Sequence, residues 1–311
     1  MSLDPVILFF LLGILARLVR SDLRLPEPLY EALSVYLLLA LGLKGGVELA
    51  RHPLAALLPQ TAAVILMGCL LPVVAFALLR RPVGLDRVNA AAIAAHYGSV
   101  SVVTFAAGVA WLEARAIAFE PHLALFLAVL EVPGIVVGLL LARGAGAGAA
   151  LGPLLREVLA GKSVLLLLGG LAIGAVLGPA GLKSTAPLFV DLFKGALCLF
   201  MLELGLVTGR QLGQLRHAGA RLVAFALVVP LLFGAVGAGV GGLIGLSVGG
   251  ATLLGTLAAS ASYIAAPAAM RVALPEADPG LSLPIVLGVS FPFNVIVGLD
   301  AYHAFAALLA R

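Results

Sequence analysis

The sequence predicts an all-α polytopic membrane protein whose ten transmembrane helices form a 5+5 inverted repeat. Hydrophobic residues make up 62% of the 311 positions and charged residues only 11%, whereas charged residues are about a quarter of a soluble domain. Apolar stretches near the ~20 residues that cross a bilayer follow one another with short polar gaps, and no period-2 alternation indicates barrel strands. One weak sequence pattern also occurs twice, the second copy about half a chain length after the first.

The duplication consists of short stretches of the first half that return in the same order in the second half. The pairs are 41–46 (LGLKGG) with 204–209 (LGLVTG), 98–101 (GSVS) with 260–263 (SASY), and 135–139 (IVVGL) with 295–299 (VIVGL). Because five spans per repeat is an odd number, the second copy must cross the bilayer in the opposite sense to the first. Such inverted repeats are typical of secondary transporters that work by alternating access.

The apolar stretches also predict boundaries for the spans and the repeats. The expected spans are 5–19, 29–43, 54–79, 88–112, 117–142, 161–178, 186–208, 217–243, 248–272 and 282–309. The first repeat then occupies 1–142 and the second 161–311. A Gly/Ala-rich cytoplasmic linker at 143–160 joins them, and its composition predicts a flexible segment rather than a domain.

The basic residues predict the orientation in the plasma membrane, which is the inner membrane of a bacterium. With the amino terminus outside, thirteen of the nineteen basic residues fall on the inner side. These are Arg17, Arg20, Arg24, Arg80, Arg81, Arg87, Arg143, Arg156, Lys162, Arg210, Arg216, Arg221 and Arg271. The outer side receives Lys44, Arg51, Arg115, Lys183 and Arg311. The positive-inside rule therefore places both termini outside.

Several classes of function are excluded by what the sequence lacks. The basic residues are scattered over loops and not clustered with aromatics, so nucleic acid is not an expected partner. Cys69 and Cys198 lie inside apolar spans and predict neither a disulfide nor a metal site. No nucleophile with a paired base and no nucleotide-binding motif is recognisable. We therefore expect a protein that is not an enzyme.

An interruption is expected near the middle of the fourth span. Gly98, Ser99, Ser101 and Thr104 place a glycine and three hydroxyls in an otherwise apolar helix. Such a tract can unwind, and the backbone N–H groups at the start of the following half-helix would then bind a small anion at the bilayer midplane. The alternative is that these small residues only allow close helix packing.

The ninth span contains a matching tract. Ser260, Ala261 and Ser262 precede Pro267, which removes a backbone donor and breaks a helix. In an inverted repeat the amino ends of the two half-helices approach the midplane from opposite sides. Both dipoles can then converge on one anion, with hydroxyls and carbonyls binding a cation beside it.

Glu131 is the strongest candidate for a cation ligand. It lies near the centre of the fifth span, where a charged side chain is costly and typically serves an ion or proton path. A protonated glutamate that is hydrogen-bonded within the bundle is the alternative. Asn294 occupies the corresponding stretch of the second repeat, and Thr104 and Ser262 complete the predicted sodium ligands. The single intramembrane His96 predicts packing and not zinc, so no metal site other than sodium is expected.

These stretches, in this order, resemble the sodium-dependent bicarbonate permease family (SbtA type) from 25–27 to the final helix. The matching stretches are 42–46 (GLKGG), 97–101 (YGSVS), 193–197 (FKGAL) and 259–262 (ASAS), followed by Pro267, Arg271, Pro275 and Pro279. The resemblance implies a gate of spans 1, 2, 6 and 7 and a mobile core of spans 3 to 5 and 8 to 10. It also implies a homotrimer, elevator-like movement, and Na⁺ as the coupling ion with no other cofactor.

The chain departs from the family's pattern in its polar tracts and in one loop. Val102 and Val103 stand where the family has Gly-Ser in the fourth span, and Tyr263 stands where it has Asp in the ninth. Glu131 replaces an Asp in the fifth. The family's long hydrophilic insertion between spans 5 and 6 is absent, which weakens the expectation that its soluble regulatory partner binds there.

The sequence thus predicts a secondary active transporter that couples sodium to the symport of a small anion, with bicarbonate as the first choice. The nearest alternative is a sodium- or proton-coupled symporter of larger organic anions, of the bile-acid type. Val102, Val103 and Tyr263 are compatible with that cavity. A non-transporting membrane sensor with the same fold is a further interpretation.

Overall fold

The computed structural model describes residues 4–50, 54–144, 148–215 and 218–310, which are helical and contain no strand. The helices are α1 (Pro5–Leu18), α2 (Glu27–Leu49), α3 (Leu54–Leu78), α4 (Arg87–Gly98), α5 (Val102–Glu113), α6 (Leu123–Leu130), α7 (Pro133–Arg143), α8 (Gly148–Leu159), α9 (Lys162–Ala186), α10 (Phe193–Leu212), α11 (Ala220–Leu243), α12 (Val248–Ala259), α13 (Ala265–Ala273), α14 (Pro279–Ile285), α15 (Phe291–Phe293) and α16 (Leu299–Leu309). π-helical turns at Leu79–Val83, Pro187–Asp191, Val286–Ser290 and Asn294–Gly298 continue α3, α9, α14 and α15. The described residues do not include three of the basic residues used to predict the orientation, Arg51, Arg216 and Arg311. They also do not include 145–147 of the predicted linker.

Seven ranges within the described residues are long and apolar enough to cross a membrane. They are Glu27–Leu49, Leu57–Val83, Arg87–Glu113, Leu123–Arg143, Lys162–Leu212, Ala220–Leu243 and Pro279–Leu309. The 51-residue range contains both α9 and α10, while α1 and α12 are apolar but shorter. The all-helical fold is confirmed and fits an integral membrane protein, whereas the count of ten spans stays a prediction.

Two helix pairs pack through glycine. Gly42 of α2 lies against Gly170 of α9, and Gly205 of α10 lies against Gly13 of α1. The helices are so close that a Cβ on either Gly42 or Gly205 would overlap the facing backbone. In lipid, small residues let two helix backbones approach each other in this way. Gly42 and Gly205 occupy the same position in the duplicated sequence pattern. The duplicated pattern therefore marks a duplicated helix contact.

The helices fall into two groups by their packing. α1, α2, α9 and α10 form the first group, and α3 to α7 with α11 to α16 form the second. In the second group α4 packs between α3 and α7, and α11 packs along α12 and α16. Where the groups meet, the Thr208 hydroxyl of α10 donates to the carbonyl of Leu287 at 2.9 Å. The polar tracts of the fourth and ninth spans belong to the second group.

Both predicted interruptions are present. Residues 99–101 separate α4 from α5, and residues 260–264 separate α12 from α13. Ser99 and Ser260, which follow the first half-helices, have extended backbones with ψ of 171° and 161°. The N–H groups of both serines still donate to the last turn of their half-helices. The residues that follow do not continue the helix, so other parts of the fold must supply partners for their backbone groups.

Three elements differ from the sequence-based expectations. The described part of the predicted flexible linker contains a helix, α8, whose Leu154 and Val158 are buried in a cluster with α13. These two residues are four apart and so share one helix face. The fifth span is divided into α6 and α7 at 131–132, where the dihedrals stay helical but Pro133 has no N–H to continue the hydrogen bonds. Finally, the backbone of α9 is non-helical at Gly178, the expected end of the sixth span, where a φ of 60° suits glycine, but a further helical stretch follows as far as Ala186.

Gly205→Ala tests the glycine contact. The added methyl group would overlap the backbone of α1, and overpacking of this kind costs about 1–3 kcal/mol, so the melting temperature should fall. Gly195→Ala in the same helix is the matched control, because its Cβ would have nothing within 4 Å. Thermal unfolding of the purified variants in detergent, monitored by size-exclusion chromatography, measures the difference in melting temperature. Equal melting temperatures would contradict the contact.

Candidate ion and substrate site

The two interrupted tracts cross and are joined by hydrogen bonds. The N–H of Ser101 donates to Ser260 Oγ at 3.0 Å, and the N–H of Ser262 donates to the carbonyl of His96 at 2.8 Å. These serines and Ser99 are all buried. Each span therefore supplies hydrogen-bond partners for backbone groups that the other span no longer pairs within its own helix. Close packing by small residues alone does not explain these hydrogen bonds.

Two half-helices begin at this crossing. Ser101 Oγ accepts a hydrogen bond from the N–H of Thr104 at 3.2 Å at the start of α5. Ser262 Oγ accepts one from the N–H of Ala266 at 3.1 Å at the start of α13. Each cap satisfies one N–H of its first turn and leaves others without a partner inside the helix. Those N–H groups and the positive dipole ends of both half-helices favour an anion beside the crossing.

Glu131 lies next to the crossing, at the junction of α6 and α7, where the backbone keeps right-handed helical dihedrals. It is 2% exposed and stands between α6 and α7. Ser99 Oγ lies 3.1 Å from the carbonyl oxygen of Glu131 and 3.4 Å from its Oε2. One hydroxyl proton serves only one of these acceptors at a time, so the carboxyl group keeps most of its acceptor capacity. A buried carboxyl in this position can coordinate a cation.

A small cavity connects these groups. It is lined by Val100, Ser101, Val102, Val103, Glu131, Ser163, Ser262, Tyr263, Ile264 and Ala265. Its free volume is about 10 Å³, which is room for one water-sized guest. Ser163 belongs to α9, so the cavity lies between the two groups of helices. The sequence analysis did not predict Ser163, because no neighbouring polar pattern in its span marks it.

His96 holds the ninth-span tract at a second point. Its Nδ1 lies 2.6 Å from the carbonyl oxygen of Ser262, and because a carbonyl only accepts, Nδ1 carries the proton. The N–H of Ser262 in turn donates to the His96 carbonyl. The two hydrogen bonds form a clasp between one residue of each repeat. The predicted packing role of His96 is correct, although the sequence did not reveal its partner 166 positions away.

A comparison with protein families identifies one family. The family described as the Na⁺-dependent bicarbonate transporter superfamily matches residues 5–307, which is nearly the whole chain. The chain belongs to this superfamily. No individual curated protein matches it. The resemblance seen in the sequence is confirmed, and Na⁺ is the coupling ion that the superfamily uses.

The predicted sodium ligands of this superfamily member do not all line the small cavity. Glu131 and Ser262 do, whereas Thr104 and Asn294 do not. Thr104 Oγ1 is nevertheless buried and has no hydrogen-bond partner among the described residues. Its oxygen therefore remains available to a ligand at the start of α5.

The side chain of Asn294 is engaged by its own repeat. Its Nδ2 donates to the carbonyl of Ala259 at 3.1 Å, and its Oδ1 accepts from the hydroxyl of Tyr302 at 2.6 Å. Ala259 is the last residue of α12, whose final carbonyls have no partner within the helix. Asn294 thus stabilises the interrupted end of α12, and its role as a sodium ligand stays a prediction.

Gly98 and Ala261 shape the crossing with small side chains. A Cβ on Gly98 would come within 2.6 Å of Pro72 and 2.9 Å of Gly134. The backbones of α4 and α7 therefore meet only because both positions are glycine. Ala261 is buried between the two serines of the ninth span. Binding of substrate by these backbones stays a prediction.

His96→Gln and His96→Asn test the clasp. Asparagine carries its amide nitrogen on Cγ, as histidine carries Nδ1, whereas glutamine moves it one methylene further out. His96→Gln should leave the buried Ser262 carbonyl without its donor and lower stability by about 1–3 kcal/mol, and His96→Asn should restore most of this loss. Thermal unfolding of both variants in detergent measures the effect. A greater loss in His96→Asn than in His96→Gln would contradict the assigned Nδ1 donor.

Proposed function

We propose that the chain is a sodium-coupled symporter of a small anion, bicarbonate, that works by elevator-like alternating access. The observation that carries this proposal is the crossing of two interrupted helices whose half-helix amino ends border one small cavity beside the buried Glu131. Superfamily membership supports the same ion and substrate. The site residues below are inferred from this geometry.

The anion binds at the amino ends of α5 and α13. Backbone N–H groups and hydroxyls would contact it, which suits an oxyanion because such groups are donors. The assigned residues are Gly98, Ser99, Ser101, Thr104, Ser260, Ala261 and Ser262. Because the Oγ atoms of Ser101 and Ser262 already accept hydrogen bonds from the backbone, their hydroxyl protons point away from the caps and can be donated to the anion.

The sodium ion binds beside the anion, with Glu131 as the charged ligand and Ser262 as a neutral oxygen ligand in the cavity. Thr104 and Asn294, which do not line the cavity in this arrangement, are the further oxygen ligands of the proposal. The cavity of about 10 Å³ at Glu131 fits one ion of water size or smaller. Bicarbonate, with four heavy atoms, needs more space than this. In the present arrangement the cavity therefore suits the cation, and the anion requires the groups of helices to move apart.

The coupling is electrostatic. A sodium ion placed next to the anion offsets the cost of removing a negative solute from water into a region of low dielectric constant. By linkage, each ion raises the affinity for the other by the same factor. Glu131 supplies the charge that holds the sodium ion when the anion has left.

The packing supports a gate and a core that move against each other. The gate comprises α1, α2, α9 and α10, whose glycine contacts are closely fitted, and the core carries both interrupted tracts. The site lies at their boundary, where Ser163 of α9 faces the crossing. A second cavity of about 190 Å³ shares Ser163, Ile264 and Ala265 with the small one and is walled by α8. This cavity offers a route to the side that the charge distribution assigns to the cytoplasm.

The paired contacts of Gly42 and Gly205 also support the inverted repeat of 1–142 and 161–311, because a two-fold axis in the membrane plane exchanges them. With ten spans, both termini lie outside the plasma membrane. The homotrimer that the family resemblance implies is part of the proposal. The following experiments distinguish this proposal from three alternatives, which are an organic-anion symporter, a proton-coupled carrier and a non-transporting sensor.

Glu131→Gln should abolish sodium-dependent uptake of labelled bicarbonate into proteoliposomes, because the neutral amide no longer attracts the cation. Glu276→Gln is the matched control, since Glu276 is exposed between α13 and α14 and its loss should change nothing. Unchanged sodium dependence in Glu131→Gln would refute the sodium role. Uptake that follows a proton gradient without sodium would favour proton coupling, and ligand binding without uptake would favour a sensor.

Organic anions should not compete with bicarbonate. Val102, Val103 and Tyr263 form part of the cavity wall, and a sterol acid would need a far wider opening than bicarbonate when the two groups of helices move apart. Competition of bicarbonate uptake by acetate, larger carboxylates and bile acids measures this selectivity. Strong inhibition by bile acids would move the assignment to an organic-anion symporter.

A further inference from the structure

A polar cavity of about 170 Å³ lies between the end of α1, the segment that joins α1 to α2, and the second half of α10, away from the crossing. It is lined by Arg17, Ser21, Leu23, Arg24, Leu25, Glu203, Leu206 and Arg210. Three guanidinium groups and one carboxylate meet there, which leaves an excess of positive charge. The transport mechanism proposed above uses none of these residues.

The hydrogen bonds of this cavity are incomplete. Arg210 Nη2 donates to Glu203 Oε1 at 3.2 Å, whereas the guanidinium groups of Arg17 and Arg24 have no hydrogen bond or ion pair within the described residues. Glu203 is 8% exposed, and its Oε2 is buried without a hydrogen-bond partner there. The cavity therefore offers two guanidinium groups to an anion and one carboxylate oxygen that needs a donor.

The chemistry of these groups matches a phosphate that carries a hydroxyl group nearby. Guanidinium groups bind phosphate oxygens through two parallel N–H bonds, which makes arginine well suited to this anion. A hydroxyl donates to a carboxylate oxygen and so satisfies Glu203 Oε2. A simple inorganic anion without a proton to donate meets only the first requirement.

The position of the cavity favours a lipid over a free phosphate. It adjoins the end of α1, where Leu15, Leu18 and Val19 are 54%, 63% and 64% exposed. Acyl chains can cover these apolar side chains while the headgroup reaches the arginines. The positive-inside prediction also places this end of α1 on the cytoplasmic side, where basic residues attract anionic lipids.

We propose that this cavity binds the headgroup of an anionic glycerophospholipid, with the phosphate on Arg17 and Arg24 and a headgroup hydroxyl on Glu203. Phosphatidylglycerol has both groups. The site lies on the helices whose glycine contacts form the gate, so a bound lipid would anchor that group in the cytoplasmic leaflet. The assignment does not depend on the identity of the transported anion.

The test is binding of phosphatidylglycerol to the purified full-length chain, measured by native mass spectrometry and by the rise in melting temperature. Phosphatidylcholine serves as the zwitterionic reference. Arg17→Gln and Arg24→Gln should each weaken phosphatidylglycerol binding about fivefold, the effect of one basic residue at an anionic lipid surface. Arg20→Gln is the matched control, because Arg20 lies in the same segment but does not line the cavity.

Equal weakening by all three substitutions would show only general attraction to a basic segment and would overturn the proposal. Equal binding of phosphatidylglycerol and phosphatidylcholine would do the same. If inorganic phosphate alone produced the full stabilisation, the lipid assignment would be wrong. Arg24→Lys keeps the charge but loses the paired N–H groups, so its affinity for phosphatidylglycerol should lie between those of wild type and Arg24→Gln. Melting temperatures measured without lipid verify that each variant is folded.

Discussion

The hydrogen-bonded crossing of two extended tracts is the interaction on which the rest of this structure depends. Within a bilayer, backbone N–H and C=O groups must find partners inside the protein. Interrupting one helix alone would leave several of them unsatisfied. Here Ser101 and Ser262 donate their backbone N–H groups to Ser260 and His96 of the opposite tract. Neither interruption is complete without the other, which ties the two halves of the chain together at the site.

The crossing also determines where charge can be placed. The capping hydroxyls of Ser101 and Ser262 satisfy part of each first turn, and both half-helices present their positive ends to the same small volume. The buried Glu131 stands at that volume and supplies the opposite charge. In the proposed mechanism an anion and a cation bind side by side here once the groups of helices move apart, whereas either ion alone would be costly in a region of low dielectric constant.

The glycine contacts pack the first group of helices together, and the site lies beside this group. Gly42 with Gly170 and Gly205 with Gly13 bring helix backbones into direct contact, and in lipid such close fit is the main source of helix association. Between the two groups, Gly45 of α2 packs closely against Ala124 of α6, and the Thr208 hydroxyl donates to the Leu287 carbonyl. In the proposed mechanism this boundary is the plane of movement, and the small cavity lies on it.

The sequence by itself determined the all-helical class, the places where the fourth and ninth spans break, and the duplicated glycine pattern. These features are local, since they follow from the lengths of apolar stretches and from where glycine, serine and proline occur. Only the tertiary structure decided that His96 clasps Ser262, that Ser163 of α9 lines the cavity, and that the linker forms α8. Such contacts depend on how each helix is rotated and on which distant segment it meets. Packing in three dimensions sets both, and the order of residues along one span does not.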